Sequence, residues 1–317
     1  MRVLITGAYG FVGRYMAREM AEAGYPVLAT DIVSPEKAEG IFPEGTEYFQ
    51  CDLLDLSELE RLISDAAPDL VVHLAAQSSG RVSISRPAET FRVNIFGFIN
   101  LLEVLRKIGN NPRVLAVGSG EEYGRKKSPD MPLKEDAAID PANPYAASKA
   151  SQTIIAMQYQ RTYGLDILGT RSFNHTGPGQ SELFVFPSFA KKCAGIAYGG
   201  NEPLLKTGNL EIIRDFLDVR DVVRAYRILS EEGKPGRVYN VCSGEGLKLK
   251  EGLDIIIEQF DIEVEIDKDP ELFRPADVPV FIGDNSRLSG ETGWKRIISA
   301  EKMLSALADY WKSRYSR

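Results

Sequence analysis

The amino-acid sequence predicts an α/β protein: a doubly wound parallel sheet with a smaller, discontinuous C-terminal lobe. Three observations predict it. Short apolar, β-branched runs alternate with helical patterns through the first half of the chain. A glycine-rich turn joins the first of those runs to the first helical pattern. Past residue 173 the alternation fails, because Gly177-Pro178-Gly179, Gly199-Gly200, Pro203 and Pro235-Gly236 cut the chain into short pieces.

Taken in order, Val3-Leu4-Ile5 is an apolar run with two β-branched residues and reads as a strand. Gly7, Gly10 and Gly13 follow, and a helical pattern runs from Arg14 to Ala23. Strand, glycine turn and helix N-terminus in that order make an anion site. The amides near Phe11 and Val12 and the helix dipole would face a pyrophosphate that the glycines allow to come close. The bland alternative is a tight turn closing an ordinary βαβ unit. A second strand, Val27 to Asp31, follows Gly24 and ends in an acid 18 residues past Gly13. A carboxylate there can accept both ribose hydroxyls of adenosine and would repel a 2′-phosphate, which favours NAD over NADP. Further strands are expected at Glu47–Gln50, Leu70–His73, Arg113–Val117 and Leu165–Leu168, with amphipathic stretches near 56–66, 88–107 and 145–163. This is the order of a Rossmann sheet, whose ligands sit beyond the carboxyl ends of the strands, where Gly7, Ser119 and Asn174 fall. Val219–Leu229 reads as a helix returning to the first domain, and Val238–Val241 as a strand rejoining the sheet. The expected domains are therefore 1–173 plus about 215–243 for the dinucleotide, and about 174–214 plus 244–317 for the substrate.

Composition narrows the function. With 317 residues and 44% hydrophobic content the chain can bury a full core and a second lobe. No apolar run approaches the ~18 residues that span a bilayer, and Met1-Arg2 leads directly into a strand with no signal peptide. Cys51, Cys193 and Cys242 are scattered and form no C-x-x-C pair, which suits reduced thiols in a cytoplasmic protein. His73 and His175 are the sole histidines, and without clustered ligands a metal site is not expected. A net charge of −7 without a basic block argues against nucleic acid. An anionic ligand would need a local basic pocket.

Tyr145 and Lys149 stand one helical turn apart, so they share a helix face, and Pro144 is a good opening residue for that helix. An ammonium beside a phenol favours the phenolate and lowers a Tyr pKa from about 10 toward the working pH. The pair alone could be two solvated neighbours. Beside a dinucleotide turn it becomes a proton relay for a hydroxyl or carbonyl.

The spacing G-x-x-G-x-x-G together with Tyr145-x-x-x-Lys149 resembles the short-chain dehydrogenase/reductase superfamily, in its extended, nucleotide-sugar-modifying branch. The resemblance covers nearly the whole chain. It implies that Asp52 and Leu53 approach adenine and that Leu74, Ala75 and Ala76 lie beside the cofactor ribose. It further implies that Ser119 is catalytic and that Lys149 bonds the nicotinamide ribose. Glu121 matches the glutamate that removes the C5 proton in nucleotide-sugar 4,6-dehydratases, where the preceding residue is commonly Asp or Ser. Here that residue is Gly120. For Glu122 a salt bridge or a solvated loop acid is expected.

Phe173–Gln180, Lys206–Asn209, Arg214–Phe216, Asp218–Asp221, Arg274-Pro275 and Asp277–Pro279 resemble segments of a narrower group. It comprises the GDP-mannose 4,6-dehydratases and the GDP-4-keto-6-deoxy-D-mannose reductases that make GDP-rhamnose. Asn174, Arg214 and Arg274 would then lie along the nucleotide diphosphate, with Lys206 nearby, and guanidinium forks suit phosphate oxygens. Asp277 could accept guanine hydrogens. The resemblance implies NAD(P)H-dependent reduction of a 4-keto GDP-sugar. Its alternatives are a 4,6-dehydratase that retains NAD(P), a 4-epimerase, and a non-catalytic nucleotide sensor. A homodimer is expected if the helices near 88–107 and 145–163 pack across an interface rather than simply covering the sheet.

Overall fold

A computed structural model describes residues 1–272 and 278–315. Arg274, Pro275 and Asp277 lie outside the described residues. The first half alternates as its sequence predicts. Strands β1 (Val3–Thr6), β2 (Val27–Asp31), β3 (Glu47–Gln50), β4 (Leu70–His73), β5 (Arg113–Ser119) and β6 (Ile167–Ser172) come in turn. Between them stand α1 (Phe11–Glu22), α2 (Pro35–Ala38), α3 (Leu56–Ala66), α4 (Gly80–Ser85), α5 (Pro87–Phe91), α6 (Gly97–Ile108) and α7 (Pro144–Tyr163). Short strands follow: β7 (Asn174–Thr176), β8 (Leu204–Thr207), β9 (Ile213–Arg214) and β10 (Phe216–Asp218), with α8 (Val185–Gly199) after β7. Next are α9 (Val219–Glu232), β11 (Val238–Val241), β12 (Leu247–Lys248), α10 (Leu249–Phe260), β13 (Glu265–Lys268) and β14 (Val280–Phe281). Helices α11 (Ser286–Thr292) and α12 (Ala300–Tyr315) complete the described chain.

Seven strands form one parallel sheet in the order β11-β6-β5-β4-β1-β2-β3. Successive side chains point to opposite faces, so both faces are apolar. Val3, Ile5, Leu70 and Val72 join one core with Met16 of α1 and Tyr226 of α9. Leu4, Val71 and Val114 join another with Leu59 of α3, Phe98 of α6 and Tyr159 of α7. A third core gathers Phe186 and Phe189 of α8, Leu253 and Ile256 of α10, and Leu304 and Trp311 of α12.

Two strands differ from their sequence limits. β5 runs past Val117 to Ser119, and β6 spans Ile167–Ser172 rather than starting at Leu165, because the two stay paired to a last rung of Ser119 opposite Ser172. The expected single helix over 88–107 is also broken. A π-helical turn, Arg92–Phe96, stands between α5 and α6. That bulge buries the Asn94 carboxamide, which accepts from the Gln77 amide at 2.7 Å and donates to the Gln77 carbonyl at 3.1 Å and to the Ser148 hydroxyl at 2.9 Å.

Candidate active site

At the β1–α1 turn, Gly7 has φ +69, and a Cβ there would stand 2.6 Å from the backbone nitrogen of Ala75. A Cβ on Gly13 would stand 2.5 Å from the carbonyl oxygens of Gly7 and Ala8. Only a chain without side chains at these points packs so closely. Gly10 caps α1 with extended backbone, no side-chain hydrogen bond and no acid in the first turn. The opening amides of α1, at Phe11 and Val12, are thus left to an anion. Asp31 ends β2 and accepts the Tyr9 amide on Oδ2 at 3.1 Å. The carboxylate therefore fixes the glycine turn. Leu74, Ala75 and Ala76 follow β4 in the same layer, and the Thr6 hydroxyl ties the Ala75 amide (3.3 Å) to His73 Nδ1 (2.9 Å). Asp52 and Leu53 follow β3 beside Asp31, whose carbonyl accepts the Cys51 amide at 2.9 Å. Asp52 bonds its own turn at Leu54, and Leu53 is buried. A dinucleotide fits this cradle. Gly7–Gly13 would hold its pyrophosphate, Asp31 a ribose, and Leu74–Ala76 and Lys149 its nicotinamide end.

The residues expected to transfer a proton sit at the carboxyl end of β5. Asn143 caps α7, accepting the Ala146 amide at 2.8 Å, and Pro144 starts the helix. Asn143 also donates to Glu121 Oε2 at 2.9 Å, so one residue sets both the helix and the candidate acid. Tyr145 stands near the Ser119 hydroxyl, which itself accepts the Glu121 amide at 3.2 Å. Lys149 Nζ donates to the Val117 carbonyl at 2.8 Å and to Gln152 Oε1 at 2.9 Å. Gln152 Nε2 reaches the same carbonyl at 3.1 Å. Ser119, Tyr145 and Lys149 thus stand at the same end of β5.

The electrostatics differ from the sequence expectation. Burial, with the charge of Glu121 adding to it, pushes the Tyr145 phenol above its ordinary range, although the nearby Ser119 hydroxyl acts to lower it. Burial pushes Lys149 down to about 8, with Glu122 opposing. The lysine is bound to the strand carbonyl, and desolvation outweighs what it does for the phenol. Burial thus favours the neutral phenol at Tyr145.

Glu122 is a buried partner of Arg171, not a solvated loop acid. Arg171 Nε donates to its Oε2 at 2.9 Å, and the Ser119 amide and Thr153 hydroxyl each donate to Oε1 at 3.0 Å. Gly120 faces the Phe173 ring, whose nearest atoms would lie 3.2 Å from an added Cβ.

Toward the substrate end, Asn174 is exposed on β7 and donates to the Asp215 carbonyl at 3.2 Å. Arg214, on β9, donates to the carbonyls of Ile213 (2.9 Å) and Val278 (2.7 Å). Asp215 holds the region together. Its carboxylate accepts the Ser243 amide and hydroxyl at 2.7 Å each and the Gly244 amide at 3.0 Å, and burial raises its pKa to about 6. His175 stacks on Phe11 with ring centroids 6.4 Å apart, and Tyr15 donates to the Pro178 carbonyl at 2.8 Å. The 174–180 segment is therefore seated on the dinucleotide helix. Lys206 is exposed on β8 in a separate two-stranded sheet with β13. Sequence reasoning missed Asn94, Asn143, Gln152, Thr153 and Arg171. Asn143-Pro144 was the one readable signal, as a cap followed by a first-turn proline.

The glycine cradle on a parallel sheet and the Ser-Tyr-Lys set define the class, an extended short-chain dehydrogenase/reductase of the nucleotide-sugar branch. The chain belongs to the GDP-mannose 4,6 dehydratase family, whose model matches residues 4–307. It is 35% identical to the GDP-6-deoxy-D-mannose reductase of Pseudomonas aeruginosa over 99% of this chain and 98% of that one. To the GDP-mannose 4,6-dehydratase of Vibrio cholerae it is 28% identical, over 96% of this chain and 91% of that one. The NADPH complex of the RMD protein of Pseudomonas aeruginosa superposes with a TM-score of 0.88 at 34% identity, covering 99% of this chain and 100% of that one.

Proposed function

We propose that this chain reduces the 4-keto group of GDP-4-keto-6-deoxy-D-mannose to give GDP-D-rhamnose, with NAD(P)H as hydride donor. The observation that carries this reading is Gly120. A 4,6-dehydratase must expel the C6 hydroxyl, and the position before Glu121 offers no group to protonate it. The Phe173 ring against Gly120 further closes the space where such a side chain would project. The 35% identity to a reductase of nearly equal length adds support.

Bound NAD(P)H supplies the hydride that reaches C4. The chain supplies the proton and the alignment. The neutral Tyr145 phenol donates its proton to the oxygen at C4 as negative charge develops there, and the Ser119 hydroxyl holds that oxygen. Lys149, fixed by Val117 and Gln152, bonds the cofactor ribose. Asn174 and Arg214 would bind the diphosphate, with Lys206 as a further cation for it, and the 1–173 plus 215–243 unit would carry the cofactor; Arg274, to which the resemblance gives the same role, lies outside the described residues. Asp31 favours NADH because a second anion beside its carboxylate is repelled, even though the Pseudomonas aeruginosa neighbour carries NADPH.

Two incubations test the reading: GDP-mannose with no added cofactor, and the 4-keto-6-deoxy sugar nucleotide with NADH or NADPH. Reduction in the second alone supports it. Product from the first alone overturns it in favour of the dehydratase.

A further inference from the structure

We propose that Glu122 is a positioning residue of this site: it fixes the end of β5 that carries the catalytic hydroxyl and supplies the counter-charge to Lys149. The claim rests on the redox reading of Ser119, Tyr145 and Lys149. Three consecutive residues of β5 link the two charges. Val117 gives its carbonyl to Lys149 Nζ at 2.8 Å, and Ser119 gives its amide to Glu122 Oε1 at 3.0 Å. Between them, Gly118 has no side chain, and a Cβ there would run into Glu122 Oε1 and the Thr170 carbonyl. Helix α7 holds both ends of the arrangement. Gln152 bonds the Lys149 ammonium, and the adjacent Thr153 donates to Glu122 Oε1 at 3.0 Å. Arg171 approaches from β6, donating to the Glu135 carbonyl at 2.9 Å and lying over the Tyr123 ring at 4.7 Å.

A buried ion pair adds little net stability over apolar residues of the same volume. Stability alone therefore gives no reason for a carboxylate here, whereas the lysine does. Burial lowers the Lys149 pKa to about 8, and Glu122 is the charge that opposes the fall. Other titratable and charged groups of this region are Tyr145 on the same helix, with Glu121 on the turn after β5 and Tyr226 on α9 beside it, Arg171 on β6 and His73 on β4. Burial and the Lys149 charge hold His73 neutral, at about 3. Glu122 itself is pushed up by burial and pulled back by Arg171 and its three hydrogen-bond donors. Without the Glu122 charge the ammonium would stand in the interior on neutral acceptors alone.

The test is a titration that needs no turnover. Protein labelled with 13C at lysine Cε is followed by NMR, with Lys149→Met used only to assign the resonance. Glu122→Gln keeps the shape and removes the charge. The Lys149 midpoint should then fall by about one pH unit or more. With nucleotide sugar and cofactor, kcat should drop about tenfold or more while KM changes by less than about threefold. An unchanged Lys149 midpoint in folded Glu122→Gln protein would overturn the proposal. If that variant does not fold, the double replacement Glu122→Leu with Arg171→Met, whose apolar substitutes tolerate burial, should still lower the midpoint, by less because the Arg171 charge goes too, and an unchanged or raised midpoint there would overturn the proposal. A lowered midpoint in a protein whose wild type reduces no keto sugar supports the positioning role and overturns the assigned reaction instead.

Discussion

At the scale of single residues the site is governed by burial more than by pairing. Tyr145 and Lys149 are four positions apart, which was legible from the sequence, yet spacing says nothing about what surrounds the two groups. Desolvation decides the direction at both: the phenol goes up and the ammonium comes down to about 8. The sign for activity follows. With burial lowering it to about 8, Lys149 loses its charge as pH rises through that value, and only the cation attracts developing negative charge and donates all its hydrogens. Turnover should therefore decline as pH rises through about 8, a limb that Lys149→Arg, which stays charged, would remove. A flat profile to pH 10 would contradict the assignment. Arg171 gives a stability test. Replacing it with Met leaves Glu122 buried and unpaired, which should cost about 3–5 kcal/mol in urea unfolding. A loss below about 1 kcal/mol would place Glu122 in a wetter setting than its burial describes. Glu122 and Arg171 were unreadable as a pair because 49 positions, helix α7 among them, separate them.

At the scale of elements the sequence was most informative where periodicity is strong. Strand β1, the glycine turn and α1 were read correctly because their rules are local: β-branched residues, glycines at fixed spacing, a helical repeat. The ends of β5 and β6 were read short because Gly118, Ser119 and Ser172 are poor strand formers held by their neighbours in the sheet. The π-helical turn was invisible for a related reason. One extra residue in a helix leaves no mark on an apolar pattern, and its cause is the distant pair Gln77 and Ser148, which the buried Asn94 joins. Asn94→Ala should leave the Gln77 peptide groups unpartnered and cost about 1–3 kcal/mol. An unchanged unfolding midpoint would show that this clamp is dispensable.

At the scale of the whole molecule, the sequence predicted a doubly wound sheet, and the seven-stranded parallel order agrees. Where regularity failed past residue 173, the chain forms small two- and three-stranded sheets around a third apolar core, which local patterns could not pair in advance. The remaining large-scale question is the outer face of the helical layer. Phe96 is 57% exposed at the π-helical turn, and Ile154 is 55% exposed on α7, which packs against that turn. We propose that these residues meet a second copy of the chain in a homodimer. Phe96→Glu with Ile154→Glu should yield a monomer by light scattering, whereas a wild type that is itself monomeric would contradict the dimer. No helix among the described residues is long and apolar enough to cross a membrane.

The direction of chemistry is the central claim, and an isotope experiment reads it most directly. The reaction is run on the 4-keto-6-deoxy sugar nucleotide with a 4-deuterated dihydronicotinamide cofactor, and the product is examined by NMR. Reduction places one deuterium on C4 of a GDP-D-rhamnose product and none on C5 or C6. Consumption of GDP-mannose without external cofactor, with solvent deuterium entering C5 when the buffer is D2O, would instead show that the Ser119, Tyr145 and Lys149 set serves elimination.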